Sequence, residues 1–273
     1  MRNAFNPVPK PISNIEISLD ELLQSNEPIN KNTQLAVADT LSIKFKNVML
    51  VSYSLAIISA IFFVISRLID YNDYKRENKV FVWSKFAYEK NDIGKTYSYQ
   101  FRNFCGVDQV NEVIKLLTEK DENRYTSRRA IINLYNVSEL NEMSIPPCIA
   151  TIQFNVYWQN NTKYLSTTVN QRSADFCLGV PYDVAEMALL SHIIGVYTDA
   201  KPKDLTVFYS NVHVYQAHVE ELKLQLQNPV LELPTLIMND ELIKQTKPEH
   251  LTEEMFDIIN VQKGRPIHKY ELF

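Results

Sequence analysis

IATIQFNVYWQNNTKYLSTTVNQRSADFCLGVPYDVAEMALLSHIIGVY, residues 149–197, decides how this chain is read. Its first half alternates apolar and polar side chains on both sides of Asn160-Asn161. That pattern predicts two strands joined by a polar turn. Its second half, DVAEMALLSHIIGVY, is apolar over more than three turns and predicts a buried helix. Two strands feeding a helix belong to an α/β or α+β domain.

The flanking segments extend this pattern. VDQVNEVIKLLTEK places Val107, Val110, Val113, Ile114, Leu116 and Leu117 at helical spacing, and RAIINLYN reads as a strand. DLTVFYSNVHVY is extended, and His213 and Tyr215 alternate within it, so they face one side. QAHVEELKLQLQ is an amphipathic helix, and from Asn228 to Phe273 the pattern weakens into a Pro-containing tail. Near the start, Val48 to Ile65 carries no charge and is long enough to raise a membrane span. Lys44, Lys46, Arg67 and Asp70 border it, and with the rest of the chain it reads as a buried strand running into a buried helix. Residues 1–35 form a polar extension, and 36–273 form a single domain with no repeat or clear linker.

The 273 residues suffice for a sizeable core, and a net charge of −4 with no Lys/Arg block excludes a nucleic-acid surface. A mononucleotide needs only a few arginines and stays open. Cys105, Cys148 and Cys177 are odd in number and lack a CxxC pair. Neither a zinc site nor a disulfide framework is expected, and a reducing, cytoplasmic setting follows. The first residues, MRNAFNPVPKPISN, lack a signal peptide's apolar core.

Four stretches carry a family likeness. They are IGKTYSYQFRNF, SRRAIINLYNVSELNEMSIPPC, NQRSADFCLGVPYDVAEMALLSHII and NVHVYQAHVEELKLQL. In this order the chain resembles the thymidylate synthase family from about Thr40 to Gln227. The resemblance implies that family's single α/β (α+β) domain, a mixed β-sheet flanked by helices, with a sheet face used for dimerisation. It implies a pyrimidine nucleoside monophosphate as substrate and 5,10-methylenetetrahydrofolate as cofactor, with no membrane or nucleic-acid partner. Cys148 follows Pro146-Pro147, whose fixed φ angles stiffen a loop. Alone it is as readable as a small buried hydrophobe; the resemblance makes it the nucleophile, with Tyr97 nearby. Gln171, Arg172 and Ser173 fall in the substrate signature. Arg128 and Arg129, otherwise a solvated pair at a strand edge, match phosphate ligands reaching across from a partner subunit, so the resemblance implies a homodimer. His213 and Tyr215 match the pair on the sugar hydroxyl. Trp83, Asp175 and Gly179 match cofactor contacts. His192 and His218 receive no role.

The most informative departure is Asp183, which stands where thymidylate synthases have the Asn that reads uracil. The deoxycytidylate-specific, phage-type hydroxymethylases carry Asp there. A carboxylate accepts from the cytosine N4 amino group and repels O4 of uracil. Asp183 also reads as the N-cap of VAEMALL. The resemblance therefore leads to folate-dependent hydroxymethylation of dCMP, in a host cytoplasm if the chain is phage-encoded. The alternatives are a divergent dUMP thymidylate synthase and a weakened nucleotide-binding homologue. The last is raised by Ala60, which aligns with the family's catalytic glutamate. No Arg lies near Leu35, where the family has a phosphate ligand, and Ile149 follows the nucleophile in place of the usual His.

Overall fold

Asn160 and Asn161 both take positive φ, 48° and 59°. This is the backbone that a two-residue hairpin turn requires and that Asn tolerates. The turn joins β3 (Ile149–Gln159) to β4 (Thr162–Gln171) as an antiparallel pair closed at Gln159–Thr162. The computed structural model describes residues 34–37, 92–119, 127–227 and 234–260, with Ile61, Val64, Ile65 and Leu68. Trp83, Ala60, residues 1–33 and the last thirteen residues lie outside the described residues.

The strand pair is the centre of a four-stranded mixed sheet. β2 (Ile131–Asn133) adds antiparallel to β3, and β6 (Lys201–Tyr209) adds parallel to β4, giving the order β2-β3-β4-β6. A parallel neighbour needs a crossover, and α3 (Gly179–Tyr197) lies within it. Val180, Ala185, Met187, Leu189, Leu190, Ile193 and Ile194 of α3 are all buried, as in a helix wrapped on every side. α1 (Tyr97–Asn103) and α2 (Gln109–Thr118) complete the layer. Asp108 caps α2, its side chain accepting from the Asn111 N–H at 3.1 Å. Val110, Val113 and Leu117 are buried as expected, but Val107 precedes the helix and is half exposed.

Along β4 the residues Lys163, Leu165, Thr167, Val169 and Gln171 face inward. Lys163 is the unexpected member. Its Nζ donates to the carbonyls of Leu117 and Thr198, both at 2.7 Å. One ammonium thus closes the C-terminal ends of α2 and α3, where the backbone leaves acceptors unpaired.

DLTVFYSNVHVY divides at Ser210-Asn211. Its second part, β7 (Val212–Tyr215), joins another sheet, between β1 (Gln34–Val37), antiparallel, and β5 (Ala174–Asp175), parallel. A one-turn helix and α4 (Val219–Gln225) follow. Within the weakly patterned tail, residues 234–260 carry regular elements: β8 (Thr235–Met238) and β9 (Phe256–Ile259) pair antiparallel with α5 (Asp240–Gln245) between them. Ile243, Leu251, Met255 and Phe256 enter the main core. So do Ile61, Val64, Ile65 and Leu68, helical and buried at a spacing of three and four, in and just after the apolar segment. No helix among the described residues is long and apolar enough to cross a membrane.

Candidate active site

A single arginine organises the loop before β3. Arg172, just past the end of β4, donates from Nη2 to the Pro146 carbonyl at 3.0 Å and from Nε to the Pro147 carbonyl at 2.9 Å. Its backbone N–H donates to the Cys148 carbonyl at 2.8 Å. Thr96 Oγ1 reaches the Ile145 carbonyl at 3.0 Å. Consecutive carbonyls from 145 to 148 are therefore all held, in a stretch where two prolines supply no N–H. The Cys148 N–H donates to Tyr97 Oη at 2.6 Å. Cys148 is half-buried, and Tyr97, at the start of α1, is buried. Arg172 is exposed, and its guanidinium lies over the Tyr135 ring, 5.2 Å from its centre.

α1 is tied to this loop region through Glu139. Its carboxylate accepts from Gln100 Nε2 at 2.9 Å, Lys95 Nζ at 3.0 Å and Asn136 Nδ2 at 2.8 Å. The Gln100 hydrogen bond, with the Lys95 charge, holds the Glu139 carboxyl below the ordinary range against its partial burial.

Gln171 connects β4 to α3. Its Nε2 donates to Ser173 O at 3.0 Å and to Asp183 Oδ2 at 2.7 Å. Two acceptors on one nitrogen fix the orientation of the amide. Both amide hydrogens are consumed, and a carboxylate has none, so the Gln171–Asp183 corner offers acceptors. Asp183 is not the helix cap. α3 begins four residues earlier, at Gly179, with Pro181 in the first turn, where a missing N–H costs nothing. A Cβ on Gly179 would lie 3.5 Å from Asp175 Cβ and 3.7 Å from Asp183 Oδ2. It would fill the space between the two acids.

Asp175 pairs in register with His213 where β5 meets β7. Its Oδ1 accepts from the N–H groups of Cys177 at 3.2 Å and Leu178 at 3.5 Å. His218 Nδ1 is 4.0 Å away. Burial raises the Asp175 carboxyl, opposed chiefly by His218. Burial lowers the His213 imidazole, opposed by Asp175, and Nδ1 of that ring pairs with Asn211 Oδ1 at 3.0 Å. Tyr215 stands edge-on between His213 and His218, with ring centres 5.2 and 5.5 Å apart. Burial, and then Asp175, pushes the Cys177 thiol up.

Hydrogen bonds thus join Tyr97, Cys148 and Arg172 in one set and Gln171, Ser173 and Asp183 in another; the chain at residues 171–173 connects the two, and Asp175, Gly179, His213 and Tyr215 adjoin them. Arg128 and Arg129 are exposed on the segment leading into β2. No hydrogen bond or ion pair among the described residues links them to Arg172. Cys177 and His218, which received no role from the sequence, have side chains that reach the neighbourhood of Asp175. Cys177 lies two residues from Asp175, but His218 is far along the chain and only the fold brings it there.

The sequence model described as "Thymidylate synthase" matches residues 45–270. A curated protein named "Thymidylate synthase", from Malacoplasma penetrans (strain HF-2), is 38% identical over 157 residues, covering 58% of this chain and 52% of that protein. The chain thus aligns with about half the length of that relative.

Proposed function

The chain belongs to the thymidylate synthase family, and from that premise we propose that it transfers one carbon to C5 of a pyrimidine nucleotide, with dCMP as substrate and hydroxymethyl as the transferred group. The observation that carries the substrate choice is the consumption of both Gln171 amide hydrogens beside Asp183. An acceptor-only corner suits the N4 amino group of cytosine and leaves O4 of uracil without a donor.

Cys148 acts as nucleophile. Its thiolate adds to C6, the ring π electrons move toward C5, and C5 becomes the carbon nucleophile. Tyr97 and Arg172 hold the loop so that sulfur and ring meet at a fixed distance. Arg172, Ser173 and, from a partner subunit, Arg128 and Arg129 bind the phosphate as charge-assisted donors. His213 and Tyr215 take the sugar hydroxyl. Asp183 holds N4 and favours a protonated ring, a task that falls to it because Ala60 offers no carboxylate. The family uses 5,10-methylenetetrahydrofolate. Gly179 leaves uncovered the spot between Asp175 and Asp183 that a Cβ would fill, and Asp175, Gly179 and, from the family likeness, Trp83 are the residues that would hold the cofactor. When bound, it supplies a one-carbon unit at the oxidation level of formaldehyde.

The name of the Malacoplasma relative favours a second reading, methylation of dUMP. Tritium release from C5-labelled dCMP, dUMP and CMP, with and without methylenetetrahydrofolate, separates the two. Release from dCMP supports the first, and release from dUMP alone overturns it. No release from any of them leaves a nucleotide-binding homologue.

A further inference from the structure

Asp175, Cys177 and His218 come from the end of β5, the turn before α3 and the one-turn helix after β7. A carboxylate oxygen, the Sγ and a ring nitrogen from these residues all lie within 4.8 Å of one another. Cys177 is 5% exposed and His218 is fully buried, whereas the Asp175 side chain keeps 17% of its surface open. We propose that these three side chains form a site for a thiophilic divalent cation of the zinc type, with a water or an incoming ligand completing the shell on the Asp175 side.

The donor set selects the cation. Thiolate, imidazole and carboxylate together suit zinc and its neighbours, and three protein ligands with one open position make a tetrahedral shell. Magnesium and calcium want six or more oxygens and find one carboxylate here. Bonds of about 2.0–2.3 Å from zinc to N, O and S put tetrahedral ligands roughly 3.3–3.8 Å apart. The His218–Asp175 separation of 4.0 Å is already near this range, and the remaining contraction of up to about 1 Å falls to rotation of the Cys177 side chain. Other groups already orient the ligands. Two backbone N–H groups hold Asp175 Oδ1, and the edge of Tyr215 packs against the His218 ring. Such outer contacts fix a ligand before the ion arrives. On binding, the cation replaces the proton of the Cys177 thiol, and the proton passes to water.

Occupancy has a consequence for the reaction. A carboxylate committed to a cation is withdrawn from the cofactor, so zinc becomes an inhibitor. This consequence rests on the one-carbon-transfer reading; the binding itself does not.

The test uses the full chain, reduced with a phosphine and stripped of metal by a chelator, titrated with cobalt(II) alone. One cobalt per chain is expected, with a near-ultraviolet thiolate-to-cobalt band that zinc abolishes on displacing the cobalt. The band should persist in Cys148→Ser and Cys105→Ser and vanish in Cys177→Ala. Cys177→Val, which keeps the buried volume, is a second variant should the alanine unfold. In turnover assays, excess zinc should slow the wild type at least tenfold and Cys177→Ala less than twofold. Absence of the band, or its loss in Cys148→Ser with survival in Cys177→Ala, overturns the site. A band without turnover on any nucleotide leaves the site standing and removes the proposed reaction.

Discussion

In the proposed reaction Cys148 and Asp183 divide the chemistry between them, and each can be changed by a single atom type. Cys148→Ser keeps the carbonyl contacts of the loop, because Arg172 and Thr96 bind backbone and not sulfur. Folding and nucleotide affinity should therefore stay within a factor of a few, while turnover falls roughly a thousandfold or more. A variant keeping a tenth of the rate would remove Cys148 from the mechanism. Asp183→Asn introduces a donor in the acceptor corner. The ratio of dCMP to dUMP turnover should drop roughly ten- to hundredfold, since a mismatched buried polar contact costs about 1–3 kcal/mol. An unchanged ratio would reduce Asp183 to a link between β4 and α3. The residue types at both positions were legible in the sequence because they sit inside long motifs. The state of the Gln171 amide was not, since it depends on the Ser173 carbonyl and on a carboxylate one helical turn into α3.

Among the elements, the β3–β4 hairpin and α3 were readable because each sustains one period over many residues. β8, α5 and β9 were not: pieces of four to six residues hold too few repeats to register. The break between β6 and β7 was hidden for another reason, since both halves are extended and only their sheets differ. Lys163 was invisible as a structural residue, because a lysine in a strand reads as an outward position. Lys163→Met keeps the apolar stem and removes the ammonium from two helix ends. Buried carbonyls left without a charged donor should cost about 2–4 kcal/mol, measured as a lower urea midpoint at unchanged slope. Loss below about 0.5 kcal/mol would mean that water takes over both carbonyls.

At the scale of the whole molecule, one face of the mixed sheet packs on α3 and the other carries Ile131 and Phe208, 36% and 46% exposed. In register with them lie Thr151, Gln153, Thr168, Asn170 and Thr206. Sedimentation should find a dimer at micromolar concentration, and Phe208→Asp should shift it toward monomer, with weaker nucleotide binding if, as proposed, Arg128 and Arg129 act across the interface. A wild-type monomer binding nucleotide at full affinity would contradict both statements. The expectation of a partner came only from the family likeness, since nothing in a strand's alternation says whether its outer face meets water or another chain. The pairing of β1 with β7 carries a different kind of consequence, one of time. Gln34 waits for Tyr215, and so β1 leaves the ribosome long before its neighbour exists. Contacts this distant in the chain close late. Until then the backbone of β1 offers unsatisfied edges to any strand nearby, including another nascent copy. His213 and Tyr215 arrive with that same closure, so the proposed substrate site is among the last parts of the molecule to exist. A chain cut short before β7 would be an aggregation risk long before it could be an enzyme.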